Sequence, residues 1–191
     1  MATTNTNNTF LQRLIGAAAL DTAIYEEVEA DRGATAQAMA VVVLSSLAGG
    51  FGARGLGGTT PSNIAFFTLI SLMAWAAWAL VTYQVGGRLM PEPQTRVDVG
   101  ELLRTTGFAS APGLLRLFGV LPGVTIPAFA IASVWMLAAM VVAVRQALDY
   151  KGTGRAILVC LVGWIVNVII FVSLGALLGI AVLSVKEMSG A

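Results

Sequence analysis

Arg104 and Arg116 share the stretch RTTGFASAPGLLRLFGVLPG (104–123) with Pro112, Pro122 and four glycines, while the runs around it are long and free of charge. A guanidinium is a planar fork of N–H donors that fits a phosphate or carboxylate two bonds at a time. Both arginines are therefore candidate sites for a lipid phosphate, with snorkelling to the headgroups as the simpler duty. A second charged group lies upstream, where Asp21, Glu26, Glu27, Glu29 and Asp31 crowd into eleven residues. These carboxylates suit a docking patch for a partner, or ion pairs to the basic loop at 145–155. The simplest reading is favourable charge at the N-terminus of the helix that follows. Such clusters also hold divalent cations, but this one lacks a rigid glycine-containing loop, so no metal is assigned to it.

The residue types needed for catalysis are scarce. The chain has no histidine, which removes the commonest general base and metal ligand. Ser45, Ser46, Ser71, Ser110 and Ser133 are nucleophiles by atom type only, without a base to activate them. Cys160, the single cysteine, lies inside an apolar run and reads as a buried side chain. GFGARGLGG (50–58) is glycine-rich but lacks the Gly-Lys-Ser/Thr ending of a nucleotide loop, and reads as a turn. No enzymatic activity, cofactor or metal is expected. Net charge is +1, too little to attract nucleic acid.

The elements that must position these residues follow from composition. Of 191 residues, 57% are hydrophobic and 11% charged, against about 25% charged in a soluble domain. Mean hydropathy is +0.84. So much apolar surface calls for a bilayer as solvent. Charge-free windows run over 33–53, 55–87, 117–144 and 156–185. A hydrocarbon core of about 30 Å takes roughly 20 helical residues, so each window holds one span. These fall near 35–53, 63–85, 126–146 and 157–184, the last containing Gly163, Gly175 and Gly179. A further span over 102–121 is feasible with Arg104 and Arg116 towards its ends. Pro112 would bend it, Gly107 and Gly113 would allow close helix contact, and Pro122 would end it.

The expected fold is therefore all-α: a polytopic helical membrane bundle of five transmembrane helices. With five spans, Arg13, Arg32, Arg88, Arg96, Arg104, Arg145, Lys151 and Arg155 share one side, and Arg54, Arg116 and Lys186 the other. Counting the central segment as non-crossing gives seven against four. The eight-to-three bias favours five spans, a cytoplasmic N-terminus and an outer C-terminus.

Residues 1–33 form a cytoplasmic segment, 34–185 the membrane domain and 186–191 a short tail. The polar MATTNTNNTF opening has no signal-peptide pattern. Thr9 can cap a short amphipathic helix on Phe10, Leu11, Leu14, Ile15 and Ala18, with Gln12 and Arg13 off its apolar stripe. That helix suits the membrane surface or the protein's own cytoplasmic loops. Trp75 and Trp78 inside the second span read as helix packing, and Tyr83 and Tyr150 near span ends suit the interface belt. Asn167 reads as interhelical glue. The spans carry no carboxylate, which disfavours a proton-coupled pump. Ala, Gly and Ser instead recur through 34–50, 105–113, 128–143 and 175–181. Small residues let membrane helices approach closely.

Three blocks carry a resemblance. LDTAIYEEVEAD with ATAQAMAVV, GELLRTTGFASAPGLLRLFGVLPG, and VWMLAAMVVAVRQALDYKGTGRAILV are similar to the opening, central and late segments of the bacterial branch of the Yip family. These five-span proteins are related to eukaryotic Rab-GTPase-interacting membrane proteins. The resemblance covers about 10–183 and implies a five-helix domain, a cytoplasmic N-terminus, the cell inner membrane and no enzymatic activity. Eukaryotic relatives act in vesicle traffic, binding prenylated GTPases and shaping membranes, and they also carry a longer cytoplasmic N-terminal region. The expected function is non-enzymatic: binding of membrane lipids, of an unidentified membrane or cytoplasmic protein, or of further copies as a homo-oligomer. The alternative is a small transporter or channel with its site at the broken third span, since interrupted helices often line such sites.

Overall fold

The computed structural model describes residues 8–56, 61–166 and 169. Helix dominates, with no strand among the described residues. The chain opens with a helical hairpin of α1 (Phe10–Ala18) and α2 (Thr22–Ala30). Thr9 and Gln12 form a capping box on α1, each satisfying a backbone N–H of the other's end. Leu20 turns the chain at φ 62°. The Tyr25 hydroxyl then donates to the Ala17 carbonyl at 3.1 Å, closing the hairpin. Leu14 and Ala18 pack on the core beside Tyr25 and Phe108, whereas Leu11 and Ile15 are 60% exposed. The apolar stripe is thus divided: one part docks on the protein, and the other faces outward.

Beyond the hairpin come α3 (Ala34–Gly52), α4 (Pro61–Thr82) with a π-wound extension Tyr83–Leu89, α5 (Val99–Phe108), a 3-10 segment Ala111–Val120, α6 (Thr125–Ala147) and α7 (Thr153–Val166). Close approaches fix their directions. Gly107, Gly113 and Gly119 abut Ala38, Ser45 and Gly52 in turn, so 99–120 runs parallel to α3 along its length. Gly113 and Gly119 also meet Met136 and Phe129, so α6 runs back. Gly50 abuts Ile64, and Gly86 abuts Leu148, so α4 is antiparallel to α3 and ends beside the end of α6. In α7, Gly163 meets Trp78.

The central segment differs from the single bent helix expected over 102–121. Asp98 and Glu101 form a capping box that starts α5 at Val99. At Ser110 the bonding tightens: Ser110 N–H donates to Gly107 at 3.1 Å, and Gly113 N–H to Ser110 at 2.9 Å. Pro112 has no N–H to give, and the chain continues as ten residues of 3-10 helix. That winding rises about 2 Å per residue against about 1.5 Å in an α-helix. Between the close approaches, the 3-10 winding lets the run from Gly107 to Gly119 keep pace with the slightly longer run from Ala38 to Gly52 of α3.

Packing rests on small side chains. The buried face of α3 is Ala34, Ala38, Val41, Val42, Ser45, Ala48 and Gly52; that of α6 is mostly alanine. Large apolar residues of α6 point outward instead, with Ile126 74%, Val134 69% and Leu137 59% exposed. This is the pattern of helices packed in lipid, where close backbone approach drives association. A Cβ on Gly52 would overlap the Arg116 carbonyl oxygen. By length and composition α3 and α6 are able to cross a membrane, and α4 has 22 residues without a charge.

Other expectations land differently. Tyr150 is 3% exposed, and its hydroxyl donates to the Gly86 and Met90 carbonyls, both at 2.9 Å. It joins two loops, where an interfacial position was expected. The basic loop bonds to the loop after α4: Arg155 pairs with Glu92 at 3.5 Å, and the Thr95 hydroxyl donates to Leu148 at 2.8 Å. The last expected span, 157–184, lies within the described residues only as far as α7 goes. Asn167, Gly175, Gly179 and the 186–191 tail fall outside them, as does part of the 50–58 turn.

Candidate functional site

Arg104 does not face lipid. It is 5% exposed, enclosed between α5 and the last turn of α2. Its Nε donates to the Val28 and Glu29 carbonyls at 3.0 Å each, and its Nη2 also donates to Glu29. Those carbonyls belong to the helix end that has no intrahelical partners, and the cation matches the negative end of the dipole. The expected phosphate ligand is replaced by backbone oxygen.

The acidic cluster is divided. Asp21 caps α2 through the Ala23 N–H at 3.0 Å. Glu27 and Asp31 converge on Arg13, at 2.9 and 2.8 Å. Arg13 also donates to Gln37 at 3.1 Å, and Asp31 accepts from Gly33 at the start of α3 at 2.8 Å. Burial alone would raise the Glu27 carboxyl, but hydrogen bonds from Asn8 and Arg13 more than offset it and hold it low. Arg13 likewise holds Asp31 low. Arg13, read from sequence as off the apolar stripe, is 2% exposed and anchors the hairpin to α3. Glu26 accepts from Gln146 at 2.9 Å. Glu29 borders a recess of about 490 Å³ with Glu101, Arg145, Asp149 and Lys151. Burial, then repulsion from Glu101 and Asp149, pushes its carboxyl up to about 7.

Arg116 has a different setting. It borders a half-open cavity of about 450 Å³ between the helices, walled by α3 at Ser45 and Gly49, α4 at Trp75 and Trp78, and α6 at Met136. Its Nη2 donates to the Ser133 hydroxyl at 3.3 Å, and its guanidinium lies 5.6 Å from the centre of the Phe129 ring. No carboxylate pairs with it among the described residues, and its buried Nε has no hydrogen-bond partner. The indole Nε1 of Trp78, on the same cavity, is also buried and unpaired. Each such orphan donor costs about 1–3 kcal/mol. Trp75, by contrast, donates to the Leu103 carbonyl at 3.1 Å, closing the wall toward α5.

Arg116 is the only charge among the described lining residues, and beside the unpaired N–H donors of Arg116 and Trp78 the cavity presents the side chains of Ser45, Ser46 and Ser110 but no carboxylate. Among the described residues no set of His, Cys, Asp or Glu side chains converges as a metal site. The sequence alone points to Arg116, Ser45 and Ser110 by residue type, whereas Trp78 reads there as helix packing. Its position four residues from the end of α4, on the face of Ala74 and Trp75, was the available signal.

Small residues inside and large apolar ones outside, around a cavity with one arginine, define an all-α membrane protein. The Yip1 domain model matches residues 22–175, and the chain belongs to the Yip1 family. No curated protein matches it, and no solved structure matches it.

Proposed function

We propose that this Yip1-family chain is a five-span membrane protein that acts by binding lipid or a partner protein, without chemistry of its own. The observation that carries this is the Arg116 cavity: a space between the helices bordered by an arginine without a carboxylate partner and by two unpaired N–H donors. Five crossings accord with the alternating directions of α3, α4, 99–120, α6 and α7, and with the eight-to-three distribution of basic residues. On this reading the N-terminus is cytoplasmic, the C-terminus lies outside, and the membrane is the cell inner membrane.

Reporter fusions at both ends test the topology: opposite compartments are expected, and a shared compartment refutes five spans. Crosslinking in native membranes followed by mass spectrometry tests the binding role. A constant protein or lipid companion, or a second copy of the chain, is the expected product. Robust turnover by the purified protein, lost on a point substitution, would refute a role without chemistry.

A transport reading is favoured by one observation, the 3-10 segment beside the cavity. Its test is flux in proteoliposomes that is abolished by Arg116→Ala.

A further inference from the structure

We infer that the Arg116 cavity is a binding site for a phosphate-type oxyanion, held by the Arg116 guanidinium and the Trp78 indole N–H. The inference rests on the binding role proposed above and names its ligand class.

Three observations converge. The first is the space, about 450 Å³, which accommodates a phosphate with part of the group that carries it. The second is the charge: one guanidinium, no carboxylate partner among the described residues, and walls of small and apolar side chains with Ser45, Ser46 and Ser110 among them. A half-buried cation without a counter-charge is stabilised when an anion joins it. The third is the polarity of the unmet bonds. Arg116 Nε and Trp78 Nε1 are both N–H donors, buried and unpaired, and neither nitrogen accepts. A guest that satisfies both must bring acceptor oxygens, and one that neutralises the arginine must be negative. A phosphate monoester or diester does both, whereas a cationic or purely apolar guest leaves every one of these groups unmet.

The site is also held in shape. Gly52 lets the Arg116 backbone lie against α3, and Ser133 fixes one end of the guanidinium through Nη2. Arg54 serves as a control, because it is exposed and lies over the Phe51 ring at 4.9 Å, outside this lining.

The phosphate can belong to a lipid headgroup or be free in solution, and two probes separate these sources. Purified protein in detergent is titrated with phosphatidylglycerol under native mass spectrometry, and with inorganic phosphate in a thermal-stability assay. Saturable binding of the first assigns the headgroup, and of the second the free ion. In the arm that binds, Arg116→Gln is expected to weaken affinity roughly tenfold, as loss of a charge-assisted pair does. Trp78→Phe keeps the ring and is expected to weaken it several-fold. Arg54→Gln should leave it unchanged. Equal weakening by Arg54→Gln and Arg116→Gln would mean surface attraction and overturn the site, as would absence of saturable binding by either probe. If Arg116→Gln fails to fold, Trp78→Phe decides, and unchanged affinity in that variant overturns the proposal. Opposite-side terminal reporters together with failure of both probes would remove the anion site and leave the five-span reading standing.

Discussion

Arg104 meets Glu29 through the backbone and not through the carboxylate: its Nε lies 3.0 Å from the Glu29 carbonyl oxygen. A side chain from the central segment thereby ties the N-terminal hairpin to the bundle across 75 residues of sequence. The Glu29 carboxyl is left free to answer to its other neighbours.

Replacing Arg104 by Ala strands the Val28 and Glu29 carbonyls in a buried site. A loss of about 2–4 kcal/mol is expected, read by chemical denaturation in detergent. Arg104→Lys should recover part of it, since an ammonium reaches one carbonyl but cannot reproduce the fork. A loss for Arg104→Ala below about 0.5 kcal/mol, the range of ordinary surface changes, would show that the contact is incidental.

The Arg13 cluster gives the hairpin an acid limit. Glu27 and Asp31 titrate below the usual carboxylate range when folded. The stability they contribute is present above the unfolded value of about 4 and is lost as pH falls through the lower folded values. Amide exchange in α1 should therefore accelerate below about pH 4 before the bundle opens. Arg13→Ala should produce the same exposure at neutral pH. Protection of α1 that is identical in wild type and variant at neutral pH would refute the anchoring role.

Glu29 behaves in the opposite sense. Its folded carboxyl titrates near 7, above the unfolded value, so the folded state binds the proton more tightly. Stability then falls as pH rises between the two values, and the loss is complete above about 7. Glu29→Gln removes this loss. It should raise the midpoint of thermal unfolding at pH 8 by roughly 2–4 °C and change it little at pH 4. An equal shift at both pH values would point to a packing effect instead.

Gly107 lies where α5 crosses α3. A Cβ there would stand 2.7 Å from the Ala38 Cβ and 3.1 Å from the Ala38 carbonyl oxygen. Gly107→Val should force the helices apart at a cost of about 1–3 kcal/mol. Gly123, with open space around it but a φ of +78°, offers a contrast in which any cost comes from the backbone alone. Denaturation midpoints of Gly107→Val and wild type that coincide would show that the crossing is looser than described.

Sequence patterning located the helices because it reports burial and charge, which act over one or two turns. The charge-free windows anticipated α3, α4 and α6 within a few residues, and the small-residue runs at 34–50, 105–113 and 128–143 fall on segments that pack closely. Pro112 marked a break, but not that the chain beyond it would wind more tightly, since that depends on α3 and α6 pressing from both sides. Arg13 was misplaced for a similar reason. A helix stripe ranks residues by polarity, and only the fold brings Glu27, Asp31 and Gln37 around a guanidinium. Arg104 and Arg116 were equivalent in sequence and are opposites in structure, because one meets helix-end carbonyls and the other meets none. For Trp78 the sequence offered only its place on the face of Ala74 and Trp75; that its indole goes unpaired depends on the neighbours the fold brings to it.

The ten residues from Ala111 to Val120 wind three to the turn, so every third side chain falls into line. Gly113, Arg116 and Gly119 form one such row, Leu114, Leu117 and Val120 a second, and Pro112, Leu115 and Phe118 the third. The first row holds two buried glycines and the arginine; the second ends in exposed Leu117 and Val120. One amino acid inserted between Gly113 and Arg116 would turn the guanidinium by about a third of a revolution and put leucine in its place, so the spacing of this short thread is as much a part of the binding surface as the arginine itself.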